Sequence, residues 1–263
     1  MKPAAFEYER AASLEEAVTL LRGVGYDGKV LAGGQSLLPM LNLRLAQPAC
    51  LIDISGLEAL KRIEDLGEAV FIGAGVTHAR IEDSAVPGRL GRILAGVAHD
   101  IAYRAVRSRG TVGGSLAHAD PAADWPSVLL ALGAEVAVTG PDGARQLPLS
   151  EFQQGAFVTA LEIDEVLEGV ILPKLSAAAG WGYYKFCRKP GEFAEAIGAV
   201  LEDPERGLHR TVMGATHGTP LLLDNFDASD AVDQVGRAEP GLDAYERRIH
   251  AVALTRAHRE ATT

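Results

Sequence analysis

The chain has 263 residues, 48% of them hydrophobic, and a net charge of −10 from 35 acidic and 25 basic side chains. That length can bury a real core and predicts two domains rather than one, and the acidic balance argues against a nucleic-acid surface. Cys50 and Cys187 lie far apart with no C-x-x-C spacing, which excludes an iron–sulfur or zinc site built by this chain alone and reads as two buried free thiols.

In chain order, Phe6 to Arg10 alternates as a short strand. Ser13 then reads as an N-cap, with Glu16 completing a capping box, and Leu14, Ala17, Val18 and Leu21 carry a helix to about Gly23 or Gly25. Lys29-Val30-Leu31 predicts a buried strand. The apolar run Leu37 to Leu45 contains Pro39, so only a short helical turn is expected before that proline. Leu51 to Ile54 is a further strand, closing a compact α/β unit of about 56 residues.

Beyond Leu57, Ile63 and Val70 to Gly75 predict strands leading through Val76-Thr77-His78 into a helix, and Leu90 to Ala98 predicts a helix that breaks near His99-Asp100. Asp124 to Leu132 is helical in pattern, with Pro126 tolerated in the first turn. Glu135 to Thr139 followed by Gly140-Pro141-Asp142-Gly143 is a hairpin signal, and Glu165 to Leu172 reads as a strand stopped by Pro173. The small, flexible stretch Leu175 to Gly180 marks a domain boundary. After it, Trp181 to Phe186 predicts a strand, Glu192 to Leu201 a helix, Val212 to Ala215 and Leu221 to Leu223 strands, and Tyr245 to Glu260 a basic amphipathic helix. That last helix is either a solvated face or a partner-contacting one. No run approaches the ~18 apolar residues of a membrane span, and Met1 to Glu7 lacks the apolar core of a signal peptide, so a cytoplasmic location is expected.

The chemistry concentrates in two glycine pairs in similar frames, Ala32-Gly33-Gly34-Gln35-Ser36 and Thr111-Val112-Gly113-Gly114-Ser115. A glycine turn that reaches left-handed angles exposes several backbone N–H groups, and the serine adds a hydroxyl donor, which together suit a phosphate oxygen. Two such turns suggest a diphosphate held from both sides, and hence a dinucleotide cofactor. The G-x-G-x-x-G fingerprint, the phosphate loop G-x-x-x-x-G-K-[ST], the G-x-S-x-G elbow and the H-E-x-x-H helix are all missing. His118 and Asp120 are close in sequence but lack further ligands, so they are read as lining or bracing the cofactor turn. His78 and His99 are read as structural or exposed.

Ala32-Gly33-Gly34-Gln35-Ser36-Leu37-Leu38-Pro39-Met40-Leu41-Asn42-Leu43-Arg44-Leu45-Ala46 closely resembles the first cofactor motif of the FAD-binding medium subunits of molybdenum hydroxylases, the carbon monoxide dehydrogenase and xanthine dehydrogenase types. The stretch from Arg107 to Pro126 resembles the second motif, and Phe6, Leu14 to Val18 and Tyr245 to Arg248 also fit. The resemblance implies an α+β chain: a vanillyl-alcohol-oxidase (PCMH)-type FAD-binding domain, 1–175, of two α/β subdomains, about 1–56 and 57–175, plus a small α+β C-terminal domain, 176–263, of the carbon monoxide dehydrogenase flavoprotein type. It implies that Ala32, Gly33, Gly34, Gln35 and Ser36 hold the diphosphate with Thr111, Gly114 and Ser115, and that Asp124 binds the ribose–adenine end. The plainer reading of Asp124 is a helix-start acid favoured by the dipole. Ile101 and Ala102 are implied at the isoalloxazine ring, with Leu167 and Lys185 as later contacts. Gln35 stands where relatives with a covalent flavin carry histidine or cysteine, so the FAD is expected to be non-covalent.

The implied function is electron transfer from iron–sulfur clusters to an external acceptor. A large molybdenum–pterin subunit and a small two-cluster subunit would be the partners, in a dimer of three-subunit units. No catalytic residue and no metal ligand are assigned. The alternatives are a stand-alone FAD oxidoreductase and a non-catalytic flavin-binding assembly subunit. The region after Pro173 reads as short for the family, which bears on the acceptor and on Lys185.

Overall fold

The computed structural model describes residues 2–263. Its first unit is a three-stranded parallel sheet, β1 (Glu7–Arg10), β2 (Gly28–Leu31) and β3 (Cys50–Asp53), in the order β1-β3-β2. Helix α1 (Leu14–Val24) buries Ala17, Val18 and Leu21 on this sheet. Ser13 caps it by accepting from the Glu16 N–H, but the Glu16 carboxylate reaches the Ala12 N–H instead of Ser13, so the capping box is offset by one residue. Helix α2 (Leu37–Asn42) runs through Pro39, contrary to the expectation of a turn before it. Pro39 is the third residue of that helix, where the missing N–H would have had no helical partner. Strand β2 is half-buried, not buried, because one of its sides lines a cleft.

The second unit carries a five-stranded sheet in the order β4-β5-β10-β6-β7, entirely antiparallel. Its strands are β4 (Ile63–Asp65), β5 (Ala69–Gly73), β6 (Glu135–Gly140), β7 (Gly143–Pro148) and β10 (Val166–Pro173). Between them come α3 (His78–Glu82), α4 (Gly88–His99), α5 (Arg104–Arg107), α6 (Val112–His118), α7 (Asp124–Ala131), α8 (Leu149–Phe152) and the short pair β8 (Gln153–Gly155) and β9 (Val158–Thr159). Helix α7 is buried along its whole length, with Trp125, Val128 and Leu129 in the largest core cluster. The second glycine pair is not a loop. Thr111 is the N-cap of α6 and Gly113-Gly114 lie in its first turn, so neither needs a left-handed angle.

The third unit is an antiparallel sheet, β11 (Gly180–Phe186), β12 (Ala196–Asp203), β13 (Leu208–Gly214) and β14 (Leu221–Leu223), with α9 (Ala231–Ala238) and α10 (Ala244–Ala261). The helix expected over Glu192 to Leu201 is instead loop followed by β12. Residues Ala196 to Leu201 are buried throughout, because α10 covers one face of this central strand and α7 the other. A strand buried on both faces reads as a continuous apolar run, which periodicity does not separate from a helix. Helix α10 lies unusually close. Side chains at Gly180, Gly182 and Gly198 would strike the carbonyls of Ala261, Ala257 and Ala253 at 1.8, 1.7 and 2.6 Å. No helix among the described residues is long and apolar enough to cross a membrane.

Candidate functional site

A cleft of about 880 Å³ runs between the first and second units, with Lys185 of β11 also in its lining. Every candidate residue lines it: Ala32 to Ser36, Ile101, Ala102, Thr111, Gly114, Ser115, Asp124, Leu167 and Lys185. The two glycine segments meet because one rests on the other. A Cβ on Gly33 would lie 2.0 Å from the Arg109 carbonyl oxygen, so only glycine lets the 32–36 loop sit on the backbone leading into α6. Gly34 takes the left-handed angle, φ 74°, and turns the chain toward α2.

The two segments differ in their free donors. Among the described residues, the N–H groups of Gly33, Gly34, Gln35 and Ser36 find no acceptor inside the protein. Four successive unpaired donors on the wall of a cleft form a backbone cradle for an anion. At the second segment the donors are used. Val112 N–H donates to the Val76 carbonyl (3.1 Å), Gly113 N–H to that of Ala74 (3.0 Å) and Gly114 N–H to Thr111 Oγ1 (3.0 Å). A Cβ on Gly113 would come within 2.3 Å of the Ala74 Cβ, so this glycine seats α6 against the chain after β5. What the second segment offers the cleft is the Ser115 side chain at the start of a helix.

At the far end, Lys185 Nζ pairs with the Asp124 carboxylate at 3.0 Å and donates to the Asp100 carbonyl at 3.3 Å, while Tyr183 Oη–H donates to Asp124 at 2.6 Å. The Asp124 and Lys185 side chains are only 4% and 7% exposed, which makes this a buried ion pair. Burial pushes the Asp124 carboxyl up, and Lys185 and the Tyr183 hydrogen bond act against it. Burial, followed by the Asp124 charge, drives the Tyr183 phenol well above its ordinary value. The structure brings together Asp124, expected at the ribose–adenine end, and Lys185, expected as a later contact. Lys185 also holds, through the Asp100 carbonyl, the turn that carries Ile101 and Ala102, and all four residues line the cleft.

That turn is braced by Arg107, the first residue of the second motif, and by Glu82, which lies outside both motifs. Ala102 sits at φ 44°, an unfavourable angle for a non-glycine residue. The buried Arg107 donates to the carbonyls of Ile101 (2.9 Å) and Ala102 (3.0 Å), and its remaining N–H groups grip Glu82 at 2.8 Å. The Arg107 hydrogen bonds, joined by those of Arg104 and His99, hold the Glu82 carboxyl at about 2 against its desolvation. Only the packed fold brings positions 82, 101 and 107 together.

Of the lone histidines, His78 is buried and accepts from Trp125 Nε1–H at 3.0 Å, whereas His99 is exposed beside Glu82. His118 packs tilted against Phe157 with ring centroids 5.1 Å apart, Asp120 accepts from the Ala122 N–H at 2.9 Å, and both line the cleft. No three histidine, cysteine or acidic side chains gather as metal ligands among the described residues. Both cysteines are free; Cys50 is buried as expected and Cys187 is half-buried.

Residues 4–175 match the family described as the FAD binding domain in molybdopterin dehydrogenase. The nicotine 6-hydroxylase medium subunit of Paenarthrobacter nicotinovorans is 41% identical over 201 residues, covering 76% of this chain and 70% of the relative. The carbon monoxide dehydrogenase medium chain of Afipia carboxidovorans is 36% identical over 247 residues, covering 92% and 85%. Among solved structures, carbon monoxide dehydrogenase from Hydrogenophaga pseudoflava superposes with a TM-score of 0.91 at 34% identity, over 100% of this chain and 99% of that one. A superposition of that extent runs through the C-terminal unit, so the impression of a shortened C-terminal domain does not hold against this neighbour.

Proposed function

The chain belongs to the family of FAD-binding domains of molybdopterin dehydrogenases, and from that premise we propose which of its groups hold the flavin and what each does. It is the flavoprotein subunit of a multisubunit molybdenum hydroxylase, an oxidoreductase, and passes electrons from iron–sulfur clusters to an external acceptor. The molybdenum–pterin centre and the clusters belong to large and small partner subunits. We assign the assembly as a dimer of three-subunit units, located in the cytoplasm.

Bound in the cleft, FAD supplies redox chemistry that takes electrons singly and releases them singly or in pairs. The protein's part is to bind, orient and set the local charge. The single observation that carries the assignment is the run of free N–H groups from Gly33 to Ser36, which meets a diphosphate with four backbone dipoles and the Ser36 hydroxyl. Ser115 approaches from the opposite wall. Thr111 and Gly114 act first through the shape of the α6 N-terminus, where the Thr111 oxygen accepts from the Gly114 N–H. Leu167 contributes apolar wall, and the turn at Ile101-Ala102, clamped by Arg107, meets the ring. Lys185 holds a positive charge at that end, in balance with Asp124.

The test is to purify the chain with and without its partner subunits and to measure acid-released flavin, iron and molybdenum. One FAD per chain, released without proteolysis, with both metals confined to the assembled complex, is the expected result. An intact complex without FAD would overturn the assignment. Substrate turnover by the lone flavoprotein would replace it with an independent oxidase.

A further inference from the structure

A second cavity, of about 450 Å³, lies behind the ring end of the flavin cleft, between one face of α4 and the C-terminal sheet. Helix α4 presents Arg89 and Arg92 to it, β11 presents Trp181 and Tyr183, and α10 presents Glu260. The two guanidiniums stand out in a chain of net charge −10. Among the described residues neither takes part in an ion pair or a side-chain hydrogen bond, and the Nε of Arg89 is buried with no acceptor. A desolvated donor left unpaired is costly. Both arginines also sit near the start of α4, where the helix dipole disfavours cations and where the first turn holds no acid. Their placement therefore serves something other than helix stability.

We propose that this cavity is a second ligand site, taking a small organic monocarboxylate whose carboxylate bridges Arg89 and Arg92 and whose apolar, planar body lies against Trp181, Ile93 and Val97. The volume is in the range of small-molecule pockets, and the lining sets four charged side chains beside Ile93, Val97, Trp181 and Tyr183, an anchor for a charged group next to a surface for an apolar body. A paired guanidinium site suits a carboxylate. Glu260 and Asp100 line the same cavity, so a monoanion is favoured over a doubly charged phosphate, which would leave the site strongly negative. The occupant would share a wall with the flavin cleft. Tyr183, whose hydroxyl bonds Asp124, forms one part of that wall, and Asp100, whose carbonyl accepts from Lys185, forms another. Occupancy of the cavity itself requires no flavin.

Benzoate is the probe, titrated by calorimetry into the full-length chain and into the assembled complex. Saturable one-to-one binding with Kd of about 1 mM or tighter is expected in both. Arg89→Gln and Arg92→Gln should each weaken it about tenfold or more while the melting temperature stays within a degree or so. Arg92 is the more exposed of the two, so Arg92→Gln and Arg92→Lys keep the test open if Arg89→Gln fails to fold; the lysine should retain part of the affinity. Absence of saturable heat, or an affinity that ignores both arginines, would overturn the proposal. Binding to the free chain that vanishes on assembly would also overturn it, since the arginines would then serve carboxylates of a partner subunit.

Discussion

At Gly33-Gly34 the backbone forms an open loop whose donors have no partner in the protein; at Gly113-Gly114 the same dipeptide begins a helix with its donors already engaged. The difference comes from what lies behind each pair. Gly33 is pressed against the Arg109 carbonyl, while the Gly33 to Ser36 N–H groups stay unpaired in a segment that lines the cleft. Gly113 is pressed against Ala74, and its own N–H bonds the Ala74 carbonyl, so the close approach consumes the donor. One pair leaves its donors free, as the proposed diphosphate site requires, and the other fixes the position of the opposite wall. A glycine pair thus reports that backbones come close, and only the hydrogen-bond census says whether anything is left for a ligand.

Alanine at each pair should separate these roles. Gly113→Ala forces a methyl into Ala74, whose Cβ and Cα lie 2.3 and 2.7 Å away with little freedom to yield. The expected cost is about 3 kcal/mol of unfolding free energy, read by urea titration. Gly33→Ala meets a carbonyl oxygen at 2.0 Å, but there the exposed loop can lift away. Stability should fall by only about 1–2 kcal/mol, while flavin affinity drops about a hundredfold as the four N–H groups lose their common aim. A Gly113→Ala protein that keeps its stability and loses its flavin would invert the comparison.

Much of this was legible in the residues. The strands on either side of the first glycine loop, the hairpin at Gly140 to Gly143 and the capped helices follow from local patterns that the tertiary structure does not contradict. Strand β12 was not legible, because its apolar run is dictated by layers on both faces and not by its own period. The site divided in the same way. The glycine motifs and their serines are contiguous and therefore readable, whereas the clamp on the Ile101-Ala102 turn pairs Arg107, at the edge of the second motif, with Glu82, which lies 25 residues earlier and outside any motif. The Asp124–Lys185 pair spans 61 residues and joins two units, so no local pattern signals that its members touch.

The wall behind the second pair also carries a pH signature. His78 donates its backbone N–H to Gly110 and accepts from Trp125 on its ring, and burial, helped by the Arg107 charge, lowers its pKa from 6.5 to about 4. His250 is lowered to about 4 by burial as well. Each has a folded pKa below its unfolded value, so the unfolded chain binds more protons between pH 6.5 and 4. Stability therefore falls as pH drops through that window, by at most about 1.4 kcal/mol per pH unit for each histidine. His78→Gln keeps an acceptor for Trp125 and should remove about half of the slope between pH 6 and 5, where carboxylates contribute little. Urea titrations at a series of pH values measure it; an unchanged slope would show that His78 is solvated and that the wall behind α6 is looser than its packing implies.

The smallest effects are the most discriminating, because they fall on the N-cap hydroxyls of α2 and α6. Thr111 accepts from the Gly114 N–H at 3.0 Å and so belongs to the helix, whereas Ser36 precedes α2 with no capping hydrogen bond and stands exposed at the cleft. Thr111→Ala should cost about 1 kcal/mol of stability, the usual worth of an N-cap, with little change in flavin affinity. Ser36→Ala should leave stability within about 0.5 kcal/mol and weaken flavin binding about fivefold to tenfold through loss of one hydrogen bond to a charged ligand. Paired flavin titrations and unfolding curves read both quantities on both variants. A flavin loss at Thr111→Ala equal to that at Ser36→Ala would mean that the Thr111 O–H, free to donate while its oxygen accepts from Gly114, had been contributing a donor to the ligand. The second wall would then bind the diphosphate through Thr111 as well as positioning Ser115.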